Sequence, residues 1–355
     1  MNRFVLSLLL FSVALSVVGA TRAHGELALL VEEPYGFFGS IVPTGHTAIY
    51  LNHVCAESPT TLRRCHPGET GVVISRYYRI QKLDWVAVPL LPYLYAVEHS
   101  EDVPEQADLP SVQLMRQNYA ENHLGSLAST NKEFDRKNVW PQLLGVAYIR
   151  KIYSFETTTT PEQDDRLITQ FNERANRGQF NIFTNNCADF SRHLINFYFP
   201  HAVSRSITAD FAITTPKQVA KSLTTYVRHH RELESNEIII AQIPGTIHRS
   251  HKPRGVVESL LKTMKYAVPM VVVQPYLLAG VAVTYLTMGR FDLSNSAHVV
   301  PVMDQEQSLV SGTTNDPKAT LYAETQSIQP QESARCVPDL NTQRSRASSS
   351  CTTAP

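Results

Sequence analysis

The chain has 355 residues, of which 43% are hydrophobic, enough for one sizeable domain with appendages. Lysine plus arginine equals aspartate plus glutamate, at 32 each. Nucleic-acid binding needs a basic field that this balance does not provide, so we expect no nucleic-acid partner.

The first 23 residues are typical of a secretory signal peptide. A basic residue, Arg3, precedes the apolar run Phe4–Val18, and small residues follow as far as Ala23. The apolar run is short for a membrane span, which favours cleavage over retention as an anchor. We therefore expect residues 1–23 to be removed and the remaining chain to be exported.

A candidate general base, His46, begins the alternating segment GHTAIYL. His46, Ala48 and Tyr50 would share one face of a strand, and Gly45 leaves room beside the imidazole. A histidine on a strand end can face a helix N-terminus across a sheet. His46 is one of 13 histidines, so taken alone a structural or surface role is the favoured interpretation.

Two cysteines, Cys55 and Cys65, flank a short turn-rich loop. In an oxidising compartment this spacing predicts a disulfide, which would leave Cys187 unpaired. His53 and His66 add further zinc-binding atom types nearby. The spacing matches none of the common structural-zinc patterns, so we predict no metal site and no cofactor.

The middle of the chain predicts a strand and several helices. The apolar segment Trp85–Val97 reads as a buried strand followed by a turn and a helix, or as the lining of an acyl-chain groove. The polar segment Ser100–Asp135 reads as a helical insertion. A helix is predicted over Thr160–Gly178, because Thr160 and Gln163 form a capping box at its start.

A candidate nucleophile, Cys187, lies in the segment FNIFTNNCADFSRHLINFYF. The alternation over Phe180–Thr184 predicts a short strand, and the apolar spacing after Cys187 predicts a helix that ends before Pro200. A helix N-terminus stabilises a thiolate, so this position suits a nucleophile. The alternative is a small buried hydrophobe, because free cysteines are often buried.

The two asparagines before Cys187 allow two interpretations. Asn185 or Asn186 could donate its amide to a developing oxyanion beside the Cys187 backbone N–H. For Asn186, capping of the helix is the favoured alternative, since Asn is a preferred N-cap residue.

The C-terminal part changes in character. Pro216–Leu233 predicts a basic amphipathic helix and Ile238–Ile243 a short strand. Tyr266–Met288 carries no formal charge over a length that could span a bilayer. The positive residues lie mainly before this segment, opposite to the bias expected for an exported domain, and a buried hairpin is the alternative. Ser, Thr, Gln and Pro dominate the end of the chain and predict disorder.

The motifs GHTAIYL and FTNNCADF together resemble the circularly permuted branch of the NlpC-type papain-like proteins, in which the histidine precedes the cysteine. The branch includes lecithin:retinol acyltransferase-like enzymes, deSUMOylating-isopeptidase-like thiol peptidases and bacterial proteins similar to the periplasmic lipoprotein N-acyltransferase domain. The resemblance covers roughly Leu27–Phe199. It implies an α+β domain with an antiparallel sheet and a cysteine-bearing helix, in which Cys187 and His46 form a catalytic dyad.

The resemblance also implies a third polar residue on the strand that follows the histidine strand. That strand is predicted at Gly71–Tyr78, where Ser75 and Tyr77 are polar and Glu69 comes just before. None of them is the mid-strand histidine, asparagine or glutamate of the family. We take Ser75 and Glu69 as candidates, and the choice stays open.

These predictions divide the chain into a signal peptide (1–23), a papain-like thiol domain (24–235), a linker (236–264), an apolar helix that would cross a membrane (265–289) and a disordered tail (290–355). The predicted function is that of an exported, cell-envelope thiol hydrolase or acyltransferase, held at a membrane. Its substrate would be a lipid-linked or peptidoglycan amide or ester. The alternative is a non-catalytic envelope protein that keeps this fold for binding or structure.

Overall fold

The computed structural model describes residues 25–36, 43–206, 210–262, 267–269, 272, 275–294 and 297–300. All of these residues fall within one compact unit. The predicted signal peptide and residues 301–355 of the predicted tail lie outside the described residues.

A mixed, mainly antiparallel sheet forms the centre of the described chain. Its strand order is β6-β5-β2-β1-β7-β8-β9, and only the β8–β9 pairing is parallel. A separate hairpin pairs β3 with β4. The strands are β1 (Gly25–Glu32), β2 (His46–Leu51), β3 (Val54–Ser58), β4 (Thr61–Arg64), β5 (Val72–Ser75), β6 (Val86–Pro89), β7 (Ile152–Thr159), β8 (Ser235–Ile240) and β9 (His298–Val300).

Several helices cover the sheet. The α-helices of the described residues include α1 (Leu90–Tyr95), α2 (Leu109–His123), α3 (Lys132–Phe134), α4 (Trp140–Leu143), α5 (Pro161–Glu173), α6 (Cys187–Tyr198), α7 (Pro216–His229), α8 (Val256–Lys262) and α9 (Pro275–Thr284). Short 3-10 helices occur at Ser100–Asp102, Gly125–Leu127 and Val146–Tyr148, and π-helical turns at Asp135–Val139 and Tyr285–Gly289.

The sheet is buried on both faces, because successive side chains of a strand point to opposite sides. On β1, Ala28 and Leu30 pack into a core shared with α1, α2 and α4. Leu27 and Leu29 pack into a second core shared with α5, α6 and α7. The central strand β1 is therefore buried along its whole length, and a polar residue placed on it is removed from solvent.

Several expectations are confirmed. Trp85–Val97 contains strand β6 followed directly by helix α1, and Ser100–Asp135 is largely helical. Helix α5 begins with the predicted capping box, in which Thr160 and Gln163 cap one another. Its last helical residue is Glu173, a few residues before the predicted end.

The predicted linker and tail contain parts of the sheet. Strand β8 lies almost wholly within the predicted linker 236–264 and pairs with β7 over six residues. Its three consecutive isoleucines, Ile238–Ile240, favour a strand because β-branched side chains pack well on a pleated surface. Strand β9, at the start of the segment predicted to be disordered, pairs in parallel with β8.

The apolar helix predicted over 265–289 differs from the structure. Helix α9 covers Pro275–Thr284 and a π-helical turn follows at Tyr285–Gly289. Residues 267–269 and residue 272 are also helical, and the residues between them and α9 lie outside the described part of the chain. Within the described residues, no helix combines the length and the hydropathy needed to cross a bilayer. Membrane attachment stays a prediction.

Candidate functional site

Cys187 is the first residue of helix α6, as the sequence predicts. Asn186 is the N-cap residue: its side chain accepts a hydrogen bond from the Asp189 N–H at 2.9 Å, and the Asp189 carboxylate accepts one from the Asn186 N–H. The Asn186 amide also donates to the carbonyl oxygens of Ile182 and Thr214, at 3.0 and 3.1 Å. Asn186 therefore fixes the start of the helix that carries the sulfur.

The segment before Cys187 is a tight turn and not the predicted strand. The backbones of Asn181 and Asn185 exchange hydrogen bonds of 3.1 and 2.9 Å, and the Asn181 side chain accepts from the N–H groups of Phe183 and Thr184. An asparagine that binds the backbone two residues ahead competes with a strand, which explains the difference. Asn185 accepts from Arg76 and donates to Gln179, so its amide is bonded within this region.

His46 is the first residue of strand β2, between β1 and β5. The preceding Gly45 has a φ of +80°, and a Cβ there would lie 2.2 Å from the carbonyl oxygen of Glu32. Only glycine fits this close approach without strain. The turn at Gly45 thus sets the position from which the His46 side chain projects from strand β2.

The structure brings Cys187 and His46 together. Burial raises the pKa of the Cys187 thiol, but the charge of His46 and hydrogen bonds with His46 and Thr47 outweigh this, and the pKa is lowered overall. Burial lowers the pKa of His46, yet the charges of Cys187 and Glu32 overcome it, and the pKa is raised. Both shifts favour a thiolate beside an imidazolium.

The sulfur lies deep, since Cys187 is 7% exposed, while His46 is partly exposed. Thr47 hydrogen bonds help to lower the Cys187 pKa, and the Ser191 hydroxyl donates to the Thr47 hydroxyl at 3.0 Å. Ser191 is one helical turn after Cys187 on α6. This contact ties the cysteine helix to the histidine strand.

Ser75 ends strand β5 beside His46. Its hydroxyl donates to the Thr47 carbonyl at 2.6 Å and lies 3.2 Å from His46 Nε2. A hydroxyl has one proton to donate, so toward Nε2 it acts as an acceptor. This assigns the proton of neutral His46 to Nε2 and leaves Nδ1 as the basic nitrogen.

Glu69, the other candidate for the third residue, lies elsewhere. Its carboxylate forms a two-pronged ion pair with Arg63, with both N–O distances at 2.7 Å, and accepts from the His66 N–H. The Arg63 guanidinium lowers the Glu69 pKa to about 2. Glu69 thus belongs to the surface of the loop that joins β4 to β5.

Two residues beside His46 were missed from the sequence. Glu32, the last residue of β1, is directly opposite His46 in the β1–β2 register and is fully buried. The Tyr77 ring stacks on the imidazole, with centroids 5.2 Å apart. Tyr77 was noted only as a polar position, and Glu32 could be found only by knowing the pairing register.

The predicted disulfide is present between Cys55 and Cys65 and joins β3 to the residue just after β4. Cys187 remains a free thiol. The bridge occupies both sulfur atoms that a zinc site in this loop would need.

The fold and the site together define a mixed α/β protein with a buried cysteine–histidine pair at a helix N-terminus. Comparison with known proteins finds no matching family model and no matching curated protein. One solved structure, described as the type VI secretion system effector TseH, is similar over 61% of this chain and 92% of that chain. The identity is 12% and the TM-score 0.28, so this likeness carries no argument.

Proposed function

We propose that this protein is an exported thiol hydrolase or acyltransferase in which Cys187 is the nucleophile and His46 the general base. The single observation that carries the proposal is the contact between Cys187, the first residue of helix α6, and His46, the first residue of strand β2. Each lies beside the other, the Cys187 pKa is lowered although burial alone would raise it, and the His46 pKa is raised although burial alone would lower it.

The reaction would follow nucleophilic acyl chemistry. The Cys187 sulfur attacks the carbonyl carbon of an amide or ester, after its proton has passed to His46 Nδ1. The bond to the leaving group breaks, and His46 returns the proton to the departing amine or alcohol. Water or an acceptor amine then attacks the thioester, which gives hydrolysis or acyl transfer and frees the sulfur.

The oxyanion would be stabilised by the start of helix α6. The first N–H groups of an α-helix have no intrahelical acceptor, and they point out of the N-terminus where Cys187 lies. The side-chain amides of Asn185 and Asn186 are bonded to neighbouring carbonyl groups, so the backbone N–H of Cys187 is the better candidate.

The proposed place of action is the cell envelope. The signal-like first 23 residues and the Cys55–Cys65 disulfide both support an oxidising, exported setting. Exposed apolar side chains at Val272, Tyr276 and Val283 support contact with a lipid surface. Lipid-linked acyl groups and peptidoglycan peptides both remain candidate substrates.

The test uses purified full-length protein and two substrate classes, a diacylated lipopeptide and a peptidoglycan peptide. We expect the wild-type protein to release or transfer an acyl group from one of them. Cys187→Ser and His46→Gln should remove turnover while leaving the melting temperature close to that of the wild type.

The competing function is a binding or structural role without catalysis. It would be supported by a Cys187 thiol that reacts with iodoacetamide only after denaturation. Full turnover by Cys187→Ser would exclude the proposed mechanism outright.

A further inference from the structure

An ion pair with a fully buried carboxylate lies beside His46 in the sheet. The Glu32 carboxylate is fully buried, and the Arg150 guanidinium approaches one of its oxygens at 2.6 Å. The Tyr93 hydroxyl, also fully buried, donates to the other oxygen. The carboxylate is thus held by a partner on each side.

The sheet register explains why this carboxylate acts on His46. Glu32 and His46 are Cα partners in the antiparallel β1–β2 pair, so their side chains leave the same face of the sheet. Directly opposite residues have Cβ atoms about 5 Å apart. Gly45 permits the close approach of the two strands at this point.

The burial of the Glu32 carboxylate is unfavourable for the free energy of folding. Burying a carboxylate is unfavourable unless it is paired, and a hydrophobic replacement of a buried ion pair is often as stable. Stability alone therefore gives little reason for Glu32 and Arg150 at this position. A charge beside the imidazole gives a functional reason.

We propose that Glu32 is a positioning residue that keeps His46 as an imidazolium beside the Cys187 thiolate, and that Arg150 and Tyr93 hold Glu32 in place for this purpose. The inference rests on the proposed thiol chemistry and deepens it. The Ser75 hydroxyl orients the imidazole and is an uncharged hydrogen-bond acceptor. The Glu32 carboxylate supplies the negative charge and lies on strand β1, which precedes the histidine strand β2.

The charged and titratable groups around His46 come from four elements. Cys187 on α6 and Glu32 on β1 favour the protonated imidazole, and Arg150 before β7 opposes it. Tyr77 stacks on the ring after β5 and stays neutral, because burial raises its pKa well above the ordinary value. Removal of Glu32 would leave Arg150 acting against the imidazolium.

The experiment is the pH dependence of iodoacetamide alkylation of Cys187 in the folded protein. The wild type should show two inflections: one in the acid range where the thiolate forms beside the imidazolium, and one at higher pH where the imidazolium loses its proton. Glu32→Gln should lower the second inflection by about one pH unit, a tenfold change in the imidazolium dissociation constant.

The matched control is Glu33→Gln, the next residue along the chain. Glu33 is also buried, but it accepts hydrogen bonds from the hydroxyls of Tyr153 and Ser250 and faces away from His46. Its substitution should leave both inflections in place. An effect of equal size in both variants would point to general loosening of the fold and would overturn the proposal.

A double variant keeps the test valid if an unpaired Arg150 disturbs folding. Glu32→Gln combined with Arg150→Met removes both charges, so its second inflection should lie between those of Glu32→Gln and the wild type. A second inflection at the wild-type pH in both variants would overturn the role of Glu32. Absence of the acid inflection from the wild type would instead overturn the thiolate mechanism itself, and the role of Glu32 with it.

Discussion

Two pairs of buried titratable groups lie near the two ends of strand β1, and burial acts on them with opposite results. At the end of β1, Cys187 and His46 shift each other toward the charged forms. Near its start, Glu26 on β1 lies beside Glu156 on β7. Because Glu26 and Glu32 are six residues apart on one extended strand, the two regions are separated by about 20 Å.

The carboxyl pair shows what burial does when the neighbour has the same charge. Burial raises the pKa of Glu26, and the charge of Glu156 raises it further. Burial also raises the pKa of Glu156, against hydrogen bonds from Asn236 and Ser154 at 2.8 and 3.1 Å. One Glu26 oxygen, Oε2, has no hydrogen-bond partner. The pair therefore retains a proton at a pH where ordinary carboxyl groups have lost it.

Burial disfavours the charged form in both pairs, and the charge of the neighbouring group decides whether that form is still populated. An acid next to a base shares one proton as an ion pair, whereas an acid next to an acid keeps the proton. The first arrangement suits chemistry at the site. The second makes stability depend on pH without any evident catalytic use.

The largest expected effect is on catalysis at the Cys187 end. Cys187→Ser and His46→Gln should each lower kcat/KM by about a thousandfold or more, because nucleophile and base act as one unit. The measurement is turnover of the substrate class that the wild type accepts. Glu26→Gln serves as the control in the other region and should retain turnover at neutral pH.

The next effect concerns stability at the carboxyl pair. A raised folded-state pKa stabilises the protein fully below the unfolded carboxyl pKa, and this contribution is lost as the pH rises. Glu26→Gln keeps a neutral side chain at every pH. The unfolding free energy of this variant should therefore exceed that of the wild type by roughly 2 kcal/mol at pH 8, and by less at pH 5. Urea unfolding at pH 5 and pH 8 measures this.

The matched control for that experiment is Glu57→Gln, an exposed glutamate on β3. It should show the same difference from the wild type at both pH values. A wild-type protein whose unfolding free energy does not fall between pH 5 and pH 8 would contradict the protonated carboxyl pair.

A third prediction concerns the disulfide-linked hairpin β3–β4, which we expect to act independently of the two titratable pairs. Replacing Cys55 and Cys65 by alanine should lower the unfolding free energy by about 2 to 3 kcal/mol, because the bridge restricts the unfolded chain. Chemical denaturation of the variant and the wild type measures it. The pH profile of Cys187 alkylation should stay unchanged, and a displaced profile would show that the hairpin and the site are coupled.

The smallest expected effect is at Ser75. Ser75→Ala removes the acceptor at His46 Nε2 and the donor to the Thr47 carbonyl, so kcat should fall about tenfold while KM changes little. Ser75→Thr keeps the hydroxyl and should recover part of the rate. Equal loss in both variants would argue that packing at this position matters more than the hydrogen bond.

The elements that carry the chemistry could be predicted from the sequence because their signals are local. The Asn186 cap and the spacing after Cys187 define helix α6, and the alternation after His46 defines strand β2. Glu32 escaped prediction because its role depends on the register of β1 against β2, which no local pattern states. The turn before Cys187 escaped it because the side chain of Asn181 competes with the strand pattern.

In the folded protein, Cys187 is a thiolate paired with the His46 imidazolium, and the acid limb of the Cys187 alkylation profile measures this pairing. The rate of iodoacetamide modification should rise with an inflection below the ordinary thiol pKa of about 8.5 in the wild type. In His46→Gln the inflection should move upward toward that value, because the charge and the hydrogen bond of His46 are lost and only the Thr47 hydrogen bonds still oppose the effect of burial. An unreactive thiol in the folded wild type, or the same inflection in both proteins, would contradict the account.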